Sequence, residues 1–350
     1  MKRKLSIVIA GLMLILCQSE LVAQPVYPKL TNRTKSGILS YLNTITKDSM
    51  IIVGQYCGVG SSTAQGYEEY VEGLYKLTGK YPALVSVEYG YTPRNNLSLI
   101  NHYAIKHWNK GGLVTISWHA DNPWIDGYNC RWNTIKNKAS IDFRELLKNA
   151  PESKVKTAYR EELLNVGKAL KQLQDSGVKV LWRPFHEMNG TWFWWGVNDL
   201  KSPTNTKDFE SLWKDMYETF THDLGLKNLI WVYGANAVGD GKWTASVSAM
   251  YPGSLYVDIV GSDIYSKVPE FEDFEALKKL DKPIVICEIG PAEESYGIFD
   301  EREIIKTFRG KAGWFLQWSS WKNAKVAIRD NMYYNEMMLD PSSITLDKLK

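Results

Sequence analysis

Two carboxylates in this chain stand where apolar runs give out. Glu187 closes Val180-Leu181-Trp182-Arg183-Pro184-Phe185-His186-Glu187, and Asn189-Gly190 follows as a turn signal. Glu288 closes Ile284-Val285-Ile286-Cys287-Glu288, with Gly290-Pro291 behind it. A carboxylate at the end of a buried strand is costly as structure and useful as chemistry. Behind Glu187 come four rings, Trp192-Phe193-Trp194-Trp195. Rings beside acids suit a sugar, which offers C–H faces to rings and hydroxyls to polar groups. The plainer reading is a strand end with a solvent-facing Glu, followed by core tryptophans. Two acids on a tryptophan-rich cleft meet the need of glycoside hydrolysis. One protonates the leaving oxygen, and the other attacks the anomeric carbon or activates water.

Something must hold those strand ends together. Apolar, β-branched runs recur at 51–56, 83–89, 113–119, 178–186, 228–233, 256–265, 283–289 and 314–318. Helix-like segments lie between them, at 67–78, 97–109, 159–176, 208–223, 271–280 and 301–308. An earlier one, 34–47, carries Ile38, Leu39, Leu42 and Ile45 at helical spacing and should cover one end of the domain. Eight near-continuous apolar strands between amphipathic helices imply a parallel sheet covered by helices. In 350 residues they close most simply into a single (β/α)8 TIM barrel. An open doubly wound sheet would want a phosphate-binding fingerprint, and Gly58-Val59-Gly60 lacks the third glycine and a helix opening on it. Residues 120–150, rich in Asn, Asp, Trp and Tyr, read as an excursion over the barrel mouth.

Barrel enzymes work from the C-terminal ends of their strands. Those ends supply Gln55, Glu88, Ser117 with His119, Arg183 with His186 and Glu187, Asp263 with Tyr265, Glu288, and Gln317 with Trp318. Either Glu187 or Glu288 could be the one that gives the proton. Glu288 needs donors, and Arg183 and Tyr265 are available. Arg183 could equally pair with Asp263. His186 adjoins the acid and would point the other way on an extended strand, so its place in the site needs a bend there. Trp124, Tyr128, Trp132 and Trp243 lie on loop-like stretches, as outer subsites or as loop anchors.

The rest of the chain limits the partners. Lys2-Arg3-Lys4, the apolar run Leu5–Leu16 and Leu21-Val22-Ala23 before Gln24 have the form of a signal peptide over 1–23, with the catalytic domain over 24–350. Export to the periplasm or beyond the cell is expected. Cys17 permits a lipoprotein, although Leu16 before it fits poorly. That run is too short to span a bilayer, which takes about 20 residues. Without the leader the chain is nearly neutral, which argues against nucleic acid and anionic lipid. Cys57, Cys130 and Cys287 allow one disulfide at most and form no zinc-like cluster, so buried thiols are expected. A monomer with no metal or organic cofactor is the expectation.

The stretch Trp182-Arg183-Pro184-Phe185-His186-Glu187-Met188-Asn189-Gly190-Thr191-Trp192-Phe193-Trp194-Trp195 resembles the acid/base segment of glycoside hydrolase family 26, best known for endo-β-1,4-mannanases. Ser117-Trp118-His119, Gly261-Ser262-Asp263-Ile264-Tyr265 and Glu288 with Gly290-Pro291 extend the resemblance over roughly residues 50–340. The wider superfamily usually has Asn before the acid/base, and His186 resembles the family 26 variant. The resemblance implies that Glu187 is the acid/base and Glu288 the nucleophile of a retaining double displacement. His119, His186, Trp192, Asp263, Tyr265 and Trp318 would bind substrate, with Arg183 in support. The implied activity is endo-hydrolysis of β-mannan, galactomannan or glucomannan. The same chemistry on a mixed-linkage glucan or xylan is the neighbouring reading. A non-catalytic glycan-binding protein is a third, but it would need the tryptophans without both acids.

Overall fold

The computed structural model describes residues 27–91, 97–132, 141–239 and 242–350. The leader expected over 1–23, with Cys17, lies outside the described residues. Eight parallel strands form a closed barrel: β1 (Ile51–Val59), β2 (Leu84–Glu88), β3 (Leu113–Trp118), β4 (Val180–Pro184), β5 (Leu229–Asn236), β6 (Ile259–Ser266), β7 (Ile284–Pro291) and β8 (Trp314–Gln317). Each pairs with the next, and β1 closes the ring by pairing with both β2 and β8. A two-residue strand, β9 (Ser343–Ile344), adds to the start of β1. The fold is the (β/α)8 barrel expected from the apolar rhythm.

The strands are buried on both faces, which is why they read as continuous apolar runs and not as alternating ones. Helices α1 (Lys35–Lys47), α2 (Thr63–Gly66), α3 (Gly73–Thr78), α4 (Leu97–Asn109), α5 (Lys154–Asp175), α6 (Thr206–Glu218), α7 (Phe274–Lys278) and α8 (Arg302–Phe308) surround them. Two further helices, α9 (Tyr334–Leu339) and α10 (Leu346–Leu349), follow β8. Helix α5 shows the logic. The Ser153 hydroxyl accepts from Lys156 N and caps its start, and Gly177 at φ 77° turns the chain away at its end. Tyr159, Leu163, Val166, Leu170 and Leu173, spaced three and four apart, face inward and are buried. Truncating Leu170 to Ala would cost about 2–5 kcal/mol. Between β5 and β6 no regular helix occurs among the described residues; a loop takes its place.

Cys57, Cys130 and Cys287 are free and buried, so Cys57 and Cys130 do not pair. Cys130 instead meets the Tyr91 hydroxyl at 2.9 Å. The sequence's four consecutive rings split by role. Trp194 and Trp195 are fully buried, and Phe193 stacks on Trp195 at 4.4 Å. Only Trp192 of the four is half-buried.

Candidate active site

Strand β4 ends at Pro184, and the next residues leave the extended conformation abruptly. Phe185 and Glu187 both have left-handed backbones, at φ 47° and 55°. Such residues cost on the order of 1–3 kcal/mol each when they are not glycine. The two kinks reset the alternation of the strand. Phe185 turns into the core, against Trp118, Trp194, Trp195 and Phe209. His186 and Glu187, though adjacent, can then both serve the mouth. Glu187 N donates to Gly234 O at 2.8 Å, which ties the strained turn to β5. The bend that His186 required is therefore present.

Glu187 Oε1 accepts from Asn236 Nδ2 at 2.8 Å, and Oε2 accepts from Trp192 Nε1 at 2.7 Å. Burial pushes its carboxyl above the ordinary glutamate range, and the nearby Glu288 charge adds to the rise. The two N–H donors work in the opposite direction and do not cancel it.

Glu288 stands on β7. Its Oε1 is paired with Arg183 Nη2, and its Oε2 accepts from the Tyr265 hydroxyl at 2.9 Å. The same Arg183 donates through Nη1 to Asp263 Oδ2 at 2.9 Å. Arg183 thus serves both acids, so the two roles open to it in sequence are held together. Burial pushes the Asp263 carboxyl well upward against the pull of Arg183, and its Oδ1 is buried without a hydrogen-bond partner among the described residues. Carboxylate oxygens of Glu187, Asp263 and Glu288 lie within 4.8 Å of one another. Three acids so close could attract a cation; here the Arg183 guanidinium already bridges two of them.

His119 and His186 face each other, Nε2 to Nε2, at 3.1 Å. Below them lies Glu88, the fully buried end of β2. Its Oε2 is 3.0 Å from His119 Nδ1, and its Oε1 accepts from the backbone N–H groups of His119 and Gly90 at 2.8 and 2.6 Å. Burial alone would raise the Glu88 carboxyl, but the His119 ring, the Ser117 hydroxyl and the His119 backbone N–H bring it down to about 2. His186 is pushed well below the usual imidazole range by burial, by His119 and by Arg183. Across the mouth, Trp318 lies face to face with Tyr56, ring centroids 3.6 Å apart and planes at 12°. Trp318 is half-buried and Tyr56 fully buried, so the stack leaves part of Trp318 open to solvent.

The sequence does not single out Asn236. The apolar run of the fifth strand stops at Tyr233, whereas β5 itself continues to Asn236 and brings that side chain to the acid. Carrying the strand past Gly234 would have found it. Asn189-Gly190-Thr191 fits an N-glycosylation pattern only by chance, since a glycan there would block the cleft, and the Asn189 side chain is fully buried. Its amide donates to Asn236 O and Ala245 O and accepts from Asn236 N, each at 2.8–2.9 Å. It is a brace for the acid's loop.

The barrel, and the mouth so furnished, have counterparts among known proteins. The model of the family "Glycosyl hydrolase family 26" matches residues 26–347. Mannan endo-1,4-beta-mannosidase A and B of Caldalkalibacillus mannanilyticus is 33% identical over 303 residues, 82% of this chain and 56% of that protein. This chain therefore spans little more than half of that relative. A mannan endo-1,4-beta-mannosidase of Bacillus subtilis is 32% identical over 337 residues, 91% of this chain and 89% of its own. The solved structure of Bacillus subtilis mannanase man26 superposes with a TM-score of 0.78 at 25% identity, covering 92% of this chain and 94% of the other. A family match over nearly the whole barrel, with two acids at the ends of its fourth and seventh strands, places the protein: it belongs to glycosyl hydrolase family 26.

Proposed function

We propose that the protein is an endo-β-1,4-mannanase that acts by double displacement with retention. The observation that carries the mechanism is the spacing of Glu187 and Glu288, whose oxygens approach within 4.8 Å. Retaining enzymes hold their carboxyls about 5–5.5 Å apart, and inverting ones about 6.5–9.5 Å, with a water between. Glu187, raised by burial and by its neighbour's charge, can hold the proton. Glu288 is held by Arg183 and by the Tyr265 hydroxyl, which fix its carboxyl in place for attack.

In the first step Glu288 attacks the anomeric carbon. The glycosidic C–O bond breaks as Glu187 gives its proton to the leaving oxygen. Esterification removes the charge of Glu288, so Glu187, now a carboxylate, sits more comfortably. It takes a proton from water, which attacks the same carbon and releases Glu288. The left-handed backbone at Glu187 is consistent with a residue held for chemistry.

Mannan as substrate rests on the names of the relatives, mannan endo-1,4-beta-mannosidases from Caldalkalibacillus mannanilyticus and Bacillus subtilis among them. Mannose carries an axial hydroxyl at its second carbon, close to the charge that develops at the anomeric carbon. His119 and His186 are the polar pair we assign to that hydroxyl. An epimer that left such a buried group unpaired would lose on the order of 1–3 kcal/mol. Export through the N-terminal leader completes the reading, since a polysaccharide is met outside the cytoplasm. The test is a product profile on purified mannan, glucomannan, mixed-linkage glucan and xylan. Mannan or glucomannan should be cleaved most rapidly, to oligosaccharides. Faster cleavage of mixed-linkage glucan or xylan would end the mannanase assignment and leave the two-acid mechanism standing.

A further inference from the structure

Glu301, just before α8, is a fully buried carboxyl that the two-acid mechanism does not use. It faces Gln317, the last residue of β8, which is also fully buried. Gln317 Nε2 donates to Glu301 Oε1 at 2.6 Å and to Val326 O at 2.7 Å, so both amide hydrogens are spent. Turning the amide over would set its oxygen against those same acceptors, which fixes its orientation. Two atoms are left over. Glu301 Oε2 and Gln317 Oε1 are both buried without a hydrogen-bond partner among the described residues. Buried polar groups rarely stay unpaired, and two acceptors cannot satisfy each other. A single proton resolves both. A carboxylic acid meets a primary amide edge to edge, accepting the N–H on one oxygen and donating O–H from the other.

The surroundings favour that proton. Burial pushes the Glu301 carboxyl well above the ordinary glutamate range; Gln317 pulls against this, the Asp300 charge adds to it, and Asn331 opposes it. Arg302, next in the chain, is spent on Asp300 and not on Glu301. What the pair holds is the loop after β8, and with it the reacting centre. Val326 O, bonded to Gln317, also accepts from Asn331 Nδ2 at 3.1 Å, and Val326 N donates to Ser320 Oγ at 2.9 Å. A methyl group at Gly290 would meet Val326 Cγ1 and Tyr265 Cε1, each at 2.8 Å, so both side chains crowd over that glycine. Tyr265 is the donor to Glu288. Gln55 Nε2 donates to Gln317 O and Trp318 O at 3.2 and 3.4 Å, and Trp318 N donates to Ile289 O, beside Glu288, at 3.0 Å. A shift of Gln317 therefore reaches both Trp318 and the donor to Glu288.

We infer that Glu301 is a positioning residue for the hydrolysis: a neutral acid that donates its Oε2 proton to Gln317 Oε1 and so fixes the end of β8, from which Trp318 and Val326 are placed. It acts through Gln317 and Val326. The inference rests on the reading of Glu288 as nucleophile in a mannan-cleaving enzyme.

The test reads the proton and the kinetics separately. In infrared difference spectra at neutral pH, wild type minus Glu301→Gln should show the C=O stretch of a protonated carboxyl. Carboxylate bands in its place would overturn the shared proton. Glu301→Leu fills the space but can neither donate nor accept. On mannan its kcat should fall by about tenfold or more, with KM changed much less. Glu301→Gln restores both bonds as an amide–amide pair and should recover most of that loss. Glu301→Asp draws the acid back by one methylene and should lose kcat in lesser degree, which keeps the question open to measurement if Glu301→Leu does not fold. Wild-type kcat in Glu301→Leu, or in Glu301→Asp where Glu301→Leu does not fold, would overturn the positioning role. Glu301→Gln as impaired as Glu301→Leu would overturn the pair. A wild-type enzyme that leaves mannan uncut would instead overturn the mannan reading beneath, and the infrared spectrum would still decide the proton.

Discussion

The Nε2 atoms of His119 and His186 lie 3.1 Å apart, and only one of the two can hold the proton between them. His186 is kept neutral by its burial, by His119 and by Arg183. Glu88 Oε2 lies 3.0 Å from His119 Nδ1, and Glu88 Oε1 accepts from the His119 backbone N–H at 2.8 Å, so Glu88 positions the His119 ring. Glu88→Gln keeps the shape but removes the charge. It should lower kcat/KM on mannan at least tenfold, about 1.4 kcal/mol. Imidazole nitrogen NMR should show the His119 Nδ1 resonance changed, while Glu288→Ala leaves it in place. Unaltered kcat/KM and an unaltered resonance would free Glu88 of any positioning role.

The two acids should fail differently. Glu288→Ala should abolish turnover of every glycoside. Glu187→Ala should lose about 100-fold or more on mannan. It should keep part of the first step on dinitrophenyl glycosides, whose leaving group needs no proton. Equal, complete loss on both substrates would remove Glu187 as the acid.

The pH profile follows from the direction of the Glu187 shift. With Glu187 as the proposed acid, activity needs it protonated and is lost as pH rises through that group's pKa. Trp192→Phe removes the N–H bonded to Glu187 Oε2 while keeping a ring. A donor to the charged form is lost, the carboxyl moves further up, and the alkaline limb of kcat/KM should shift to higher pH. A shift to lower pH would contradict the donor role of Trp192.

The rings behind the acid should separate by assay. Trp194 is fully buried and donates to Ala120 O at 2.9 Å, so Trp194→Ala should cost about 3–5 kcal/mol of stability. Trp192→Ala should cut activity and leave Tm much closer to wild type. Chemical denaturation beside kinetics on both variants checks the pair. A greater loss of stability at Trp192 than at Trp194 would refute the division.

Most of the barrel is legible in the sequence because each parallel strand, buried on both faces, reads as an unbroken apolar run. Each acid, placed where such a run stops, stands out against it. Less legible is whatever depends on a departure from regularity. The left-handed turns at Phe185 and Glu187 have no glycine to announce them, yet they bring His186 beside His119. Asn236 lies beyond Gly234 and Ala235, which look like the start of a loop and are the end of β5. The run Trp192–Trp195 shows ring content but not its partition, because side-chain direction after a kinked strand is set by tertiary packing. Trp318 is legible as an aromatic at a strand end. Its stacking on Tyr56, far away in sequence, comes from the pairing of β1 with β8.

The retaining mechanism is the central claim, and proton NMR of the first-formed sugar tests it most directly. Wild-type protein is mixed with mannopentaose in deuterated buffer, and anomeric signals are followed before mutarotation sets in. With Glu288 as nucleophile and Glu187 as acid and then base, the new reducing end should appear first as the β anomer. An α anomer appearing first would make the enzyme inverting and contradict the assignment of Glu288 as nucleophile.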